Sequence, residues 1–311
     1  MNSKFLVVIA GPTAVGKTAL AVELAQHFRT AVISADSRQF YKEIAIGTAK
    51  PTPEEMKGVK HYFVDSHSIH DEINVNDYEQ QVLQLLQQLF KDNDVVILTG
   101  GSGLYIDAVC DGFDDDLPEG NKQLRKELEA LKDKYGIALL QEKLKQLDED
   151  FYNEIDLANT KRLFRAIEVC MLSKQKYSSL RKGKKNPRAF NTIKIALNRP
   201  KEELNERINQ RVDIMMQEGL LEEAEKVHPY KDKVALKTVG YRELFAYFED
   251  ETTLAAAIEK IKTNTRRYAK RQIAWFKRNN NNYHWFQPEQ QAEIIQLIEE
   301  KFIEYNLSSM R

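Results

Sequence analysis

Residues 5–18 read FLVVIAGPTAVGKT. Six apolar residues, Phe5, Leu6, Val7, Val8, Ile9 and Ala10, run without interruption into Gly11-Pro12. A run so short and so uniformly apolar suits a strand buried on both faces, as in a parallel sheet. Next comes G-x-x-x-x-G-K-[ST] in full: Gly11, Pro12, Thr13, Ala14, Val15, Gly16, Lys17 and Thr18. Between a strand and a helix, this spacing surrounds phosphate oxygens with backbone N–H groups. It adds the point charge of Lys17 and offers the Thr18 hydroxyl to Mg²⁺. The motif recognises phosphate, in ATP or in another diphosphate, without naming a reaction.

Working outward, the periodicity predicts a helix over 17–28, with Leu20, Leu24 and Phe28 on one face. Strands are expected at 31–35, 61–64 and 95–98, with a helix over 77–90. Alternating strands and helices give an α/β fold, a P-loop NTPase-like doubly wound parallel sheet. The character changes after Gly112. An acidic turn, Asp114-Asp115-Asp116, leads into charged helices over 121–174 with no apolar strand run. A basic stretch over 181–185 reads as an exposed loop, and a strand pattern returns at 192–197. Helices are expected from Lys201 to the end, broken by the asparagines at 279–282. The resulting division is a first core segment at 1–113, a helical insertion at 114–190, and core completion with C-terminal helices at 191–311.

The 311 residues are 42% hydrophobic and 30% charged, enough for a full core, and the net charge is −1. No global charge calls for nucleic acid, so any such partner must meet local basic patches. Cys110 and Cys170 are the only cysteines and lack metal-ligand spacing. That pattern fits a reducing compartment. The N-terminal apolar run is far too short for a membrane span. A cytoplasmic monomer with no membrane association is expected.

In open α/β sheets ligands gather at the carboxyl ends of the strands. Asp36, after the second strand, should therefore lie near the phosphate loop, as a proton acceptor, as a water-mediated Mg²⁺ ligand, or simply as a turn cap. The fourth strand ends not in an acid but in Gly100-Gly101-Ser102-Gly103. Glycines there permit close backbone approach, and Ser102 could donate to phosphate or cap a helix. Arg207 and Arg211 share a helical face, either toward a phosphate or paired with Glu203 or Glu222. In the insertion, Leu163, Ala166, Ile167, Cys170 and Met171 form an apolar stripe. Lys161, Arg162 and Arg165 are expected to point away from it. Ile261, Thr265, Tyr268, Gln272 and Phe276 read as a buried face, with Arg267, Lys270, Arg271 and Arg278 on another side.

With these residues in hand, the chain resembles the tRNA dimethylallyltransferase (tRNA isopentenyltransferase) family, in its bacterial form. The resemblance rests on the phosphate loop, Asp36-Ser37-x-Gln39-x-Tyr41, Gly47-Thr48-Ala49-Lys50-Pro51 and Gly100-Gly101-Ser102-x-Leu104-Tyr105. It continues through Arg162-x-x-Arg165-Ala166-x-Glu168, Arg207-x-x-x-Arg211, Gly240-Tyr241-Arg242-Glu243 and Lys270-Arg271-Gln272-x-x-Trp275-Phe276. It implies that the loop holds dimethylallyl diphosphate, with Mg²⁺, and that the partner is the anticodon stem-loop of tRNA. The acceptor would be the adenosine just 3′ of the anticodon. It implies Asp36 as general base, Thr18 and Ser102 at the diphosphate or its metal, and Arg211 on the leaving group. It implies tRNA contacts at Asp36, Ser37, Arg38, Gln39, Ser102, Arg125, Lys161, Arg162, Leu163, Phe164 and Arg165. Ser102 stands where the family usually has Thr, Thr160 where it often has Asp, and Ala274 where Thr is common. No zinc module follows. The main competing reading is a P-loop kinase of a small metabolite, which would need neither the Asp36 motif nor a basic insertion.

Overall fold

The computed structural model describes residues 3–112, 117–181, 186–278 and 282–308. Its sheet has six parallel strands: β1 (Phe5–Ala10), β2 (Val32–Ser34), β3 (His61–Tyr62), β4 (Val95–Gly100), β5 (Asn191–Leu197) and β6 (His284–Phe286). They lie in the order β3-β2-β4-β1-β5-β6. β1 is central, with Phe5 opposite Val95 on one side and Asn191 on the other. All six of its residues are buried. Their alternation serves two cores. Leu6, Val8 and Ala10 enter one, with the helices Val75–Asp92, Gly103–Asp111 and Tyr241–Phe248. Phe5, Val7 and Ile9 enter the other, with the helices Lys17–His27 and Gln291–Ser308. Helices on both faces make the sheet doubly wound, as its unbroken apolar strands require.

Several boundaries shift for local reasons. The helix expected from residue 77 begins at Val75, because Asn74 and Asp77 form a reciprocal capping box. β3 stops at Tyr62, since Phe63 takes a left-handed conformation with φ 60°. The C-terminal part is not helical throughout: β6 adds an edge strand, pairing Ala196 with Trp285. Asn279, Asn280 and Asn281 lie outside the described residues, as do the acidic turn at 114–116 and Lys182, Lys184 and Lys185.

Contacts divide the chain into two compact units, Met1–Cys110 with Arg188–Arg311, and Asp111–Pro187. The second unit is helical and has its own core of Leu128, Leu140, Leu144, Phe151, Leu163, Ala166 and Ile167. No described helix is long and apolar enough to cross a membrane.

Candidate active site

The loop after β1 is held by its carbonyls. Lys17 Nζ donates to Pro12 O at 2.7 Å, Arg207 Nε to Ala14 O at 2.9 Å and Arg199 Nε to Val15 O at 2.9 Å. With those acceptors engaged, the loop offers an anion mainly N–H groups and the start of the helix Lys17–His27. Gly16 has φ 113°, a conformation that glycine adopts without the strain a side chain would bring. Gln272 bridges two loops: its Oε1 accepts from Thr13 N–H at 2.9 Å and its Nε2 donates to Gly101 O at 2.9 Å. A Cβ on Gly101 would collide with that amide, and one on Gly100 with the Ala35 backbone. Here the glycines allow close approach between protein segments.

Asp36 follows β2, where Ala35 N–H donates to Thr99 O at 2.7 Å. Its Oδ1 accepts the Arg38 N–H at 3.0 Å, so the turn-capping role is realised. The second carboxylate oxygen has no protein hydrogen bond among the described residues, and Asp36 lines a cavity of about 410 Å³. Ser102 Oγ accepts from Ser37 N–H at 3.1 Å and lies 3.3 Å from Ser37 Oγ, tying the β4 loop to the Asp36 turn. Gln39 also lines the cavity but spends its amide internally. It donates to Ala49 O at 3.1 Å and accepts from Ser34 Oγ at 3.0 Å. That occupancy argues against Gln39 as a direct RNA contact. Tyr41 is buried in the core.

The cavity has a distinctive chemistry. Six cations line it: Lys17, Arg38, Arg211, Lys237, Arg242 and Arg271. Asp36 is the only acid among its lining residues, and Ile208, Val212, Met215, Leu220, Val239 and Ile261 supply aliphatic wall. Burial pulls the Lys17 ammonium down to about 8, with Asp36 opposing the shift and Arg211 adding to it. Burial also lowers Arg211, which has no ion-pair partner among the described residues. Glu203 pairs instead with Arg199, at 2.6 Å. Thus Arg207 and Arg211, one turn apart, differ in role: one secures the loop and the other lines the cavity.

The stripe read as a buried face is cavity wall along much of its length. Ile261, Thr265, Tyr268 and Gln272 all line the cavity, and Arg271 joins them. Tyr268 is 36% exposed. Burial of its phenol, then Asp36, push it up to about 12, so it stays a neutral donor. Sequence reasoning assigned no site role to Lys237, Arg242 or Tyr268, and it set Arg271 on a basic face for nucleic-acid phosphates rather than in this cavity. The motifs holding Arg242 and Arg271 were the available signal.

In the second unit, Arg125 and Arg165 are not free outward cations. Arg125 makes a two-pronged pair with Glu168 at 3.0 and 2.9 Å, and Arg165 reaches Glu168 at 2.8 Å and Pro118 O at 2.7 Å. Glu168 is fully buried. Burial pushes its carboxyl up, but these bonds and the Asn121 N–H prevail and hold it below the ordinary value. Leu163 and Phe164 are also buried, which removes their side chains from any RNA surface. Lys161 and Arg162 are exposed.

Among the described residues no group of three or more His, Cys, Asp or Glu side chains could hold a metal ion. Comparison with known proteins places the whole chain among relatives of one kind. The family model for IPP transferase matches residues 39–279. A tRNA dimethylallyltransferase of Flavobacterium johnsoniae is 50% identical over 96% of this chain and 98% of its own length. A tRNA dimethylallyltransferase 1 of Phocaeicola vulgatus is 47% identical over 94% and 97%. The full-length tRNA isopentenylpyrophosphate transferase of Bacillus halodurans superposes with TM-score 0.74 at 35% identity, covering 99% of this chain and all of its own. A eukaryotic dimethylallyltransferase acting on tRNA gives TM-score 0.81 at 25% identity, covering 97% of this chain and 80% of its own.

Proposed function

Because the chain belongs to the IPP transferase family, we propose that it transfers a dimethylallyl group from dimethylallyl diphosphate to the N6 amine of the adenosine 3′ of the anticodon in tRNA. The observation that carries this reading is the cavity itself, with many cations, one carboxylate and an aliphatic wall. A prenyl diphosphate needs the cations and the wall, and an amine nucleophile needs the carboxylate. Cys110 and Cys170 are buried and form no disulfide, which suits the cytoplasm.

In the reaction the bond between the allylic carbon and the diphosphate oxygen breaks while the N6–carbon bond forms. The adenine amine is a poor nucleophile, because its lone pair is delocalised into the ring. Asp36 accepts its proton through the oxygen not engaged by Arg38. Lys17, Arg211 and the loop N–H groups stabilise charge on the departing diphosphate. Ser102 acts through the turn it holds. The base must leave its stack to enter the cavity. Thr18 is a hydroxyl oxygen donor on the cavity wall, which fits Mg²⁺ bound largely through substrate phosphates. Such an ion would neutralise diphosphate charge. The test is incubation with labelled dimethylallyl diphosphate, tRNA and Mg²⁺, followed by nucleoside analysis. Dimethylallyladenosine supports the reading; its absence, with phosphate transferred from ATP to a metabolite, replaces it with a kinase.

Lys17 gives a pH dependence with a definite sign. Its pKa near 8 means that the empty site carries this charge below pH 8 and loses it above. Pyrophosphate affinity should therefore fall from pH 7 to pH 9, with proton uptake on binding at the higher pH. Lys17→Gln should flatten the part of that slope not due to the ligand's own ionisation. Calorimetry at the two pH values decides; equal slopes in parent and variant would overturn a Lys17 pKa near 8.

The tRNA surface of the second unit is best tested at Lys161 and Arg162, because Arg125 and Arg165 neutralise a buried carboxylate. The double change Lys161→Ala, Arg162→Ala should weaken tRNA binding and reduce the log–log salt slope by roughly 0.7–0.9 per lost phosphate contact. Pyrophosphate binding should stay within twofold. Arg165→Ala should instead lower thermal stability, as it leaves Glu168 with a single guanidinium. Titration at several salt concentrations checks this, and an unchanged slope would make Lys161 and Arg162 ordinary solvated charges.

A further inference from the structure

Gly47-Thr48-Ala49-Lys50-Pro51 and Gly240-Tyr241-Arg242-Glu243 lie far apart in the sequence. They meet at a residue that neither contains, Glu223. One oxygen of its carboxylate accepts the N–H groups of Ala45 at 2.7 Å and Ile46 at 2.9 Å. The other accepts the Gly47 N–H at 2.9 Å and the Tyr241 hydroxyl at 2.6 Å. Three successive backbone donors converging on one carboxylate form an anion nest, here filled by the protein itself. Burial, then the neighbouring carboxylate, drive the Tyr241 phenol strongly upward, so it remains a donor at every working pH. A Cβ on Gly47 would lie 2.5 Å from the Tyr241 oxygen, so this contact demands glycine.

The clamp joins two walls of the cavity. Gly47, Thr48 and Ala49 line it from one segment. Leu220 lines it from the start of the helix Leu220–Val227, which carries Glu223, and Arg211 from the preceding helix Lys201–Gln217. Gln39 fastens the same segment from the β2 side, through Thr48 O and Ala49 O. We infer that Glu223 is a positioning residue whose carboxylate pins the 45–47 turn to the helix Leu220–Val227 and so fixes the width of the donor cavity. This rests on the reading of that cavity as the prenyl diphosphate site.

Glu223→Gln is the informative variant. Its amide keeps one acceptor but turns an NH₂ toward a backbone N–H. A hydrogen bond to a charged group contributes about 1.5–3 kcal/mol. Hydrogen exchange at Ala45, Ile46 and Gly47 should therefore accelerate by about 10–100-fold, while the β1 amides keep their protection. The pyrophosphate dissociation constant and the KM for dimethylallyl diphosphate should each rise by about tenfold, with tRNA affinity within twofold. Tyr241→Phe, which removes one of four bonds, should give the same pattern in smaller measure and serves if Glu223→Gln does not fold. Unchanged exchange at 45–47 overturns the clamp. Faster exchange with unchanged pyrophosphate affinity and KM reduces Glu223 to a structural residue and overturns the positioning role. If the parent binds pyrophosphate yet prenylates no tRNA, the proposed function fails, while exchange and pyrophosphate binding still decide the clamp.

Discussion

Asp36→Asn should lower the rate of prenyl transfer by about 10²–10⁴-fold, the usual consequence of losing a general base. The substitution is close to isosteric, and its carbonyl oxygen can still accept the Arg38 N–H that shapes the turn. The fold and the cavity wall should therefore persist. What disappears is the one carboxylate among the lining residues, and no second acid stands there to substitute for it. Electrostatics separates this from a binding defect. Removing a negative charge beside six cations should leave pyrophosphate affinity equal or higher, and tRNA affinity within twofold. Single-turnover rates with both substrates saturating are the measurement. More than half the parent rate would exclude Asp36 as the base, and a loss confined to KM would recast it as a binding group.

Much of this architecture was legible in residues 5–18 and in the apolar runs at 95–98 and 192–197, because a strand buried on both faces has no polar alternation to disguise it. β6 was not legible. His284-Trp285-Phe286 is a three-residue edge strand with no apolar run, and its place beside β5 depends on the long-range pairing of Ala196 with Trp285. The second half of the cavity was hidden for a different reason. Helical periodicity marked Ile261, Thr265, Tyr268 and Gln272 as facing away from solvent, but a face on a cavity and a face on a core share the same period. Arg165 shows the limit on the polar side. Its position away from the apolar stripe read as outward, while a residue three positions on, Glu168, was buried and drew it in. Glu223 carried no local signal, since its three backbone partners lie about 180 residues earlier in the chain and Tyr241 lies on a separate helix.

Arg211→Ala is expected to cost about 10²–10³-fold in kcat, the scale seen when one donor to a developing anion is removed. The case rests on the contrast with Arg207. That residue donates to Ala14 O and holds the loop, so Arg207→Ala should disturb the phosphate cradle and weaken pyrophosphate binding along with the rate. Arg211 makes no ion pair among the described residues. It is drawn below its ordinary pKa by burial yet remains far too basic to lose its proton, and it lies close enough to Lys17 to lower that residue too. A half-buried guanidinium beside a phosphate loop, with Glu55 as its only favourable charge and no ion pair among the described residues, gains most when an anion arrives. Charge on the leaving diphosphate grows as the allylic bond breaks, so the interaction strengthens from ground state to transition state and appears in kcat more than in KM. Arg211→Lys should recover part of the loss, because it returns the charge without the two-pronged geometry. Thermal stability should not fall, since a desolvated charge has been removed. A kcat within threefold of the parent, or a defect only in tRNA affinity, would take Arg211 away from the leaving group and leave Lys17 and the loop N–H groups to carry that charge.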